Sequence, residues 1–178
     1  MRIPKKKIAI VLAMHGGLPQ DFPQAKLNEY FQLSLKAEKD CASFTPEEKR
    51  RWQELEREIR NWPRNETNDP FYVGSLKIAQ ALEALARSKV FLGFNEFCSP
   101  SVEEALERAS QSEAEIIIVL TPMLTPGGHH AAAEIPKAIE QVKVKYPEKK
   151  IIYAWPFEPE EVARFLLEKS QKKFKKQF

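Results

Sequence analysis

The chain has 178 residues, 43% of them hydrophobic and 30% charged, with a formal net charge of +3. That length supports one domain (residues 1–178) with a sizeable apolar core, and the balance excludes disordered and fibrous classes. The positive excess lies at the ends, in Arg2, Lys5, Lys6 and Lys7 and in Lys172, Lys173, Lys175 and Lys176, so the body is mildly acidic and the tails are read as solubilising.

The first apolar run, IAIVLAM (8–14), follows basic residues as a signal-peptide core would. It has only seven residues and ends in His15-Gly16-Gly17 instead of a small-x-small cleavage site, so it is predicted to be a first buried strand. The following segment, Leu18 to Ser88, is too long for one crossover helix. Within it Thr45-Pro46-Glu47-Glu48 starts a helix whose stripe is Trp52, Leu55, Ile59 and Trp62, and Pro63 stops it. Asn68-Asp69-Pro70 starts another. Residues of about 20–66 are therefore expected to form a helical insertion after strand 1, packed on the core and without evident chemistry of its own.

VFLGF (90–94), EIIIVLTPM (115–123) and KIIYAWPF (150–157) are short, continuous and β-branched, the pattern of parallel strands covered on both faces. Between them, Ser101 and Glu104 form a capping box, and Ile135 to Tyr146 has Pro136 in its first turn. Glu158 to Lys173 carries Val162, Phe165 and Leu166 on one helical face. The expected fold is α/β, an open, mainly parallel four-stranded sheet with helices on both faces. No run is long enough to span a membrane, and no basic surface interleaved with aromatics points to nucleic acid. Cys41 and Cys98 form no disulfide framework or zinc spacing, which fits a reducing, cytoplasmic setting.

In an open α/β sheet, ligands bind beyond the carboxyl ends of the strands. His15 ends the first strand, Glu96 follows the second in GFNEFC, and His130 follows the third in TPGGHH. Parallel strands put these three on one edge, where two imidazoles and a carboxylate suit a divalent metal with open positions. Gly16, Gly127 and Gly128 would let a flat ligand approach the backbone. His129 is left either to solvent or to substrate. Glu134 is expected at the start of a helix, favoured there by the helix dipole. An anion-binding reading of TPGGHH finds no GxGxxG or GxxxxGK[ST] to support it, and no serine sits in a GxSxG context.

HGG after the first strand, GFNEFCSPSVEEAL around the second and TPMLTPGGHHAAAEIP after the third resemble the CbiX/SirB-type sirohydrochlorin chelatases, the ATP-independent class II tetrapyrrole chelatases. The likeness covers residues 8–17 and about 71–157. HGG stands where many relatives have HGS. The resemblance implies that His15, Glu96 and His130 hold a divalent metal (Co²⁺, Ni²⁺ or Fe²⁺) and serve catalysis. Gly16, Gly127, Gly128 and His129 would lie against a tetrapyrrole. It implies metal insertion into sirohydrochlorin without an organic cofactor, leading toward cobalamin, siroheme or a nickel tetrapyrrole. A single four-stranded lobe implies a homodimer that completes the cleft. A non-catalytic metal or tetrapyrrole carrier is the alternative.

Overall fold

The computed structural model describes residues 7–39 and 43–175. Arg2, Lys5, Lys6, Lys176 and Cys41 lie outside the described residues. Four strands, β1 (Ile8–Met14), β2 (Val90–Phe94), β3 (Ile116–Leu120) and β4 (Lys150–Tyr153), form one parallel sheet in the order β2-β1-β3-β4. β1 and β2 coincide with the apolar runs, while β3 and β4 end sooner because Thr121-Pro122-Met123 and Ala154-Trp155-Pro156-Phe157 leave the sheet.

β1 lies between β2 and β3, so its side chains alternate between two covered faces and Ala9 to Met14 are all buried. Ala9, Val11 and Ala13 join Ile117, Val119 and Ile151 under α4 (Val102–Ser110) and α5 (Ile135–Lys145). Leu12 and Met14 pack with Phe94, Cys98 and Ala79 of α3 (Pro70–Ala86). The crossover helices α3 and α4 start at caps readable in sequence. The Asp69 carboxylate accepts from the Tyr72 N–H at 2.9 Å, and Ser101 and Glu104 form a reciprocal capping box.

Between β1 and α3 stand α1 (Gln24–Lys39) and α2 (Pro46–Arg60), an antiparallel pair capped by Thr45 and Glu48. Arg51 grips Glu29 through two bonds of 2.8 and 2.7 Å, and the Trp52 indole N–H donates to Ser34 Oγ at 2.9 Å. Leu55 and Ile59 of the α2 stripe are fully buried, whereas Trp52 and Trp62 are half-buried.

The helical course after β3 opens with a π-turn (His130–Glu134) closed by the Ile135 N–H to the His130 carbonyl, and Glu134 stands, as expected, directly before α5 at its N-cap position. One expectation changes. The apolar face of α6 (Pro159–Phe174) is not packed on the core, because α6 buries none of its residues. Correspondingly β4 is covered on one face only: Ile151 is buried, but Ile152 on the other face is 40% exposed. Among the described residues no helix is long and apolar enough to cross a membrane.

Candidate metal centre

The carboxyl ends of β1 and β2 are joined beyond the sheet itself. The Asn95 N–H donates to the Met14 carbonyl at 3.0 Å and the Glu96 N–H to the His15 carbonyl at 2.9 Å, which sets His15 and Glu96 side by side. Gly16 makes this approach possible. A Cβ there would stand 1.9 Å from the Glu96 carbonyl oxygen, and its φ of +107° lies in the region that favours glycine. The Glu96 backbone by itself is enough to require glycine at 16. Gly127 and Gly128 have nothing within 4 Å of where a Cβ would stand, so the turn before His130 borders open space.

His130 reaches the same point from the other side. Its Nε2 lies 3.3 Å from Glu96 Oε1, and its ring meets the His15 ring edge to face with centroids 4.5 Å apart. Ligand atoms of His15, Glu96 and His130 all lie within 4.8 Å of one another. Neighbouring ligands about 2.1 Å from a divalent ion stand roughly 3.0–3.4 Å apart, so the His130–Glu96 separation already matches and His15 needs a small rotation.

The tautomers follow from the partners. Gly16 O can only accept, so His15 Nδ1–H donates to it at 2.9 Å and leaves Nε2 with the lone pair. His130 Nδ1–H donates to Glu134 Oε2 at 2.6 Å, which leaves its Nε2 facing Glu96. Nε2 of His130 faces the Glu96 carboxylate, where a cation would sit between them, and the Glu134–His130 pair is the arrangement in which a carboxylate orients a metal-binding imidazole. His129 stands apart: it is largely exposed, with Nε2 3.4 Å from Glu134 Oε1. Two carboxylates beside His130 also make this turn a poor cradle for phosphate.

Two arginines of the 18–88 segment support the site, and neither was expected to. Arg60 donates to the carbonyls of Cys98 at 3.0 Å and Asn95 at 3.2 Å, and so braces the Glu96 loop. Arg64 is buried with its ion-pair partner Asp69. It also donates to the carbonyls of Gly17 at 2.8 Å, of Ile59 at 3.0 Å and of Phe97, thereby tying the loops after β1 and β2 to the start of α3. Phe97, at a φ of +53°, is held in a conformation that a bulky residue rarely adopts. Beneath it the thiol of Cys98 is buried, and burial pushes its pKa up. Beside the cluster a cleft of about 520 Å³ opens against α1 and α2, with Tyr30, Trp52 and Phe97 as its aromatic wall and Glu96 and Glu134 on its floor. No sequence signal marked Arg60 or Arg64 as supports, because the carbonyls of Gly17, Asn95, Phe97 and Cys98 that they hold lie more than thirty residues away. The i, i+4 spacing of His130 and Glu134 was a visible signal.

A family model, CbiX, matches residues 73–173, a span that includes Glu96, His130 and Glu134. A sirohydrochlorin cobaltochelatase of Priestia megaterium is 34% identical over 74 residues, covering 42% of this chain and 24% of that protein. One from Methanopyrus kandleri is 36% identical over 64 residues, covering 35% of this chain and 44% of that protein. The chain thus matches less than half the length of either relative. In fold it is similar to a CbiX protein ascribed to cobalamin (vitamin B12) biosynthesis in Marinobacter aquaeolei VT8, with a TM-score of 0.50 and 16% identity, over 96% of this chain and 99% of that one.

Proposed function

The chain belongs to the CbiX family, and on that premise we propose that it is an ATP-independent chelatase that inserts a divalent metal into sirohydrochlorin or a closely related tetrapyrrole. The observation that carries the reading is the meeting of His15, Glu96 and His130 at one sheet edge, with Nδ1 of each imidazole held by a protein acceptor and Nε2 of His130 turned to the Glu96 carboxylate. Cobalt is the first metal to test, because the relatives from Priestia megaterium and Methanopyrus kandleri are cobaltochelatases; nickel and iron are the others.

Metal insertion must exchange two pyrrole N–H protons for one M²⁺. In the proposed sequence His15, Glu96 and His130 hold the ion through three ligands, few enough to leave positions for pyrrole nitrogens. As those nitrogens bind, the protein ligands let go, and the released imidazoles and the Glu96 carboxylate take up the two protons and pass them to water. Imidazole is a side chain that can both bind metal and accept a proton. Glu134 keeps His130 in the tautomer that allows this. The open space at Gly127 and Gly128 admits the flat ring, and His129 lies where it can touch the ring's edge. No organic cofactor enters the scheme. The reaction is assigned to the cytoplasm, and a second copy of the chain would supply the opposite wall of the cleft.

The test is an anaerobic absorbance time course with sirohydrochlorin and Co²⁺, Ni²⁺ or Fe²⁺, each against a control without protein. Conversion of many equivalents faster than the control is the expected result. A spectral shift that stops at one equivalent without acceleration would instead identify a carrier.

A further inference from the structure

His129 is one of the chain's three histidines, and the cluster of His15, Glu96 and His130 leaves it out. It nevertheless lies close to that cluster. Its ring centroid is 6.3 Å from that of His130, and its Nε2 is 3.4 Å from Glu134 Oε1. The other oxygen of the same carboxylate, Oε2, accepts the His130 Nδ1–H at 2.6 Å. Glu134 thus has one oxygen committed to His130 and one turned to His129.

A separation of 3.4 Å is long for a hydrogen bond, whose usual length is about 2.9–3.0 Å. It falls within the roughly 3.0–3.4 Å at which two atoms stand when they share a divalent ion at bonds of about 2.1 Å. The same spacing recurs between His130 Nε2 and Glu96 Oε1, at 3.3 Å. The His129 side chain is 76% exposed and that of Glu134 42%, so water reaches the remaining coordination positions. Charge also favours a cation. Glu134 lines the cleft against α1 and α2 together with Glu38, Glu56 and Glu96, and Arg60 is the one cation among the described lining residues.

We propose that His129 Nε2 and Glu134 Oε1 form an outer site for a divalent cation, completed by water, which stages an ion beside the inner cluster. Transfer inward exchanges these two ligands for His130 Nε2 and Glu96 Oε1, across a single imidazole ring. Two protein ligands, exposure to solvent and the partial positive charge at the start of a helical course hold the outer ion weakly, which a staging site requires. Two dications separated by one ring repel, so the outer ion weakens further once the inner site is filled. The proposal rests on the metal-binding part of the functional reading and not on the tetrapyrrole.

The experiment uses the metal alone. His15→Ala combined with Glu96→Gln dismantles the inner cluster, and His129→Ala is then added as a third change, with circular dichroism to verify each fold. Zn²⁺ titration of chains with isotope-labelled histidines is followed by NMR, in which each imidazole gives its own signals. The double variant is expected to bind one equivalent saturably, with the His129 signals shifting most, and the triple variant to lose that binding. A double variant whose His129 signals stay unmoved overturns the proposal, and so does a triple variant that binds as the double one does. In the native chain, Zn²⁺ should move the His15 and His130 signals first and those of His129 only beyond one equivalent. His129 signals that never move in the native chain overturn the proposal whether or not the variants fold. Stopped-flow loading and release of Co²⁺ tests the staging: His129→Ala should slow both by one common factor, because a ligand on the path serves both directions, and unchanged rates would refute it. An outer site that binds in a chain without turnover would remove the chelatase reading and leave this site standing, whereas turnover with an unresponsive His129 would do the reverse.

Discussion

Replacing Glu134 with alanine removes the acceptor of the His130 Nδ1–H, a bond of 2.6 Å. A hydrogen bond to a charged group is worth about 1.5–3 kcal/mol net. Glu134 is 42% exposed, so water replaces part of what is lost, and the lower end of that range applies. About 1.4 kcal/mol is a factor of ten in a binding constant. Without the carboxylate, the imidazole is free to rotate and to carry its proton on Nε2, the nitrogen that faces Glu96. The Co²⁺ dissociation constant of Glu134→Ala should therefore rise about tenfold. Glu134→Gln, which keeps an acceptor but loses the charge, should fall between that variant and the native chain. Calorimetric titration with Co²⁺ at fixed pH, beside circular dichroism to verify the fold, measures the effect. An alanine variant that binds as tightly as the native chain would refute the idea that Glu134 orients His130.

Four further outcomes follow from the same geometry. His130→Ala should lose metal insertion and keep the native far-ultraviolet spectrum, and undiminished turnover would remove His130 from the site. Gly16→Ala would drive a methyl group into the Glu96 carbonyl at a positive φ, costing about 2–4 kcal/mol; a melting temperature within a degree of the native one would contradict this. Arg64→Ala strands the buried Asp69 carboxylate and should cost about 3–5 kcal/mol in urea unfolding, whereas Arg64→Met combined with Asp69→Asn should recover much of that, since no charge is left unpaired. Burial pushes Tyr153 up to about 12, and its hydroxyl donates to the Ala131 carbonyl in the turn that carries His130. A pKa raised above the ordinary value of about 10 means that this stabilisation is complete below pH 10 and lost as pH rises through 12. The advantage of the native chain over Tyr153→Phe in melting temperature should therefore shrink across that window, and a constant difference would count against the assignment.

Much of the fold was legible in residue order. A continuous β-branched run bounded by turn residues has few alternatives to a buried parallel strand, which is why β1 and β2 begin and end where IAIVLAM and VFLGF do. Thr45, Asp69 and Ser101 announced their helices, because a cap is a contact within three residues. The convergence of His15, Glu96 and His130 was legible for a topological reason: parallel strands bring all their carboxyl ends to one edge.

What sequence left open depends on contacts between distant parts of the chain. Arg60 and Arg64 resemble any other arginines on a charged helix until the chain folds and the carbonyls of Gly17, Asn95, Phe97 and Cys98 come within reach. Glu134 was legible as a residue at the head of α5, where local preference favours a carboxylate; its bond to His130 depends on the π-turn that precedes the helix. The spacing of Val162, Phe165 and Leu166 determined that α6 has an apolar face, but periodicity describes one helix and says nothing of what lies opposite. Sequence by itself determined the strands, the caps and the edge at which two imidazoles and a carboxylate meet. Tertiary structure decided their tautomers, their supports and the face that α6 leaves bare, since each of these depends on which distant backbone group arrives within about 3 Å.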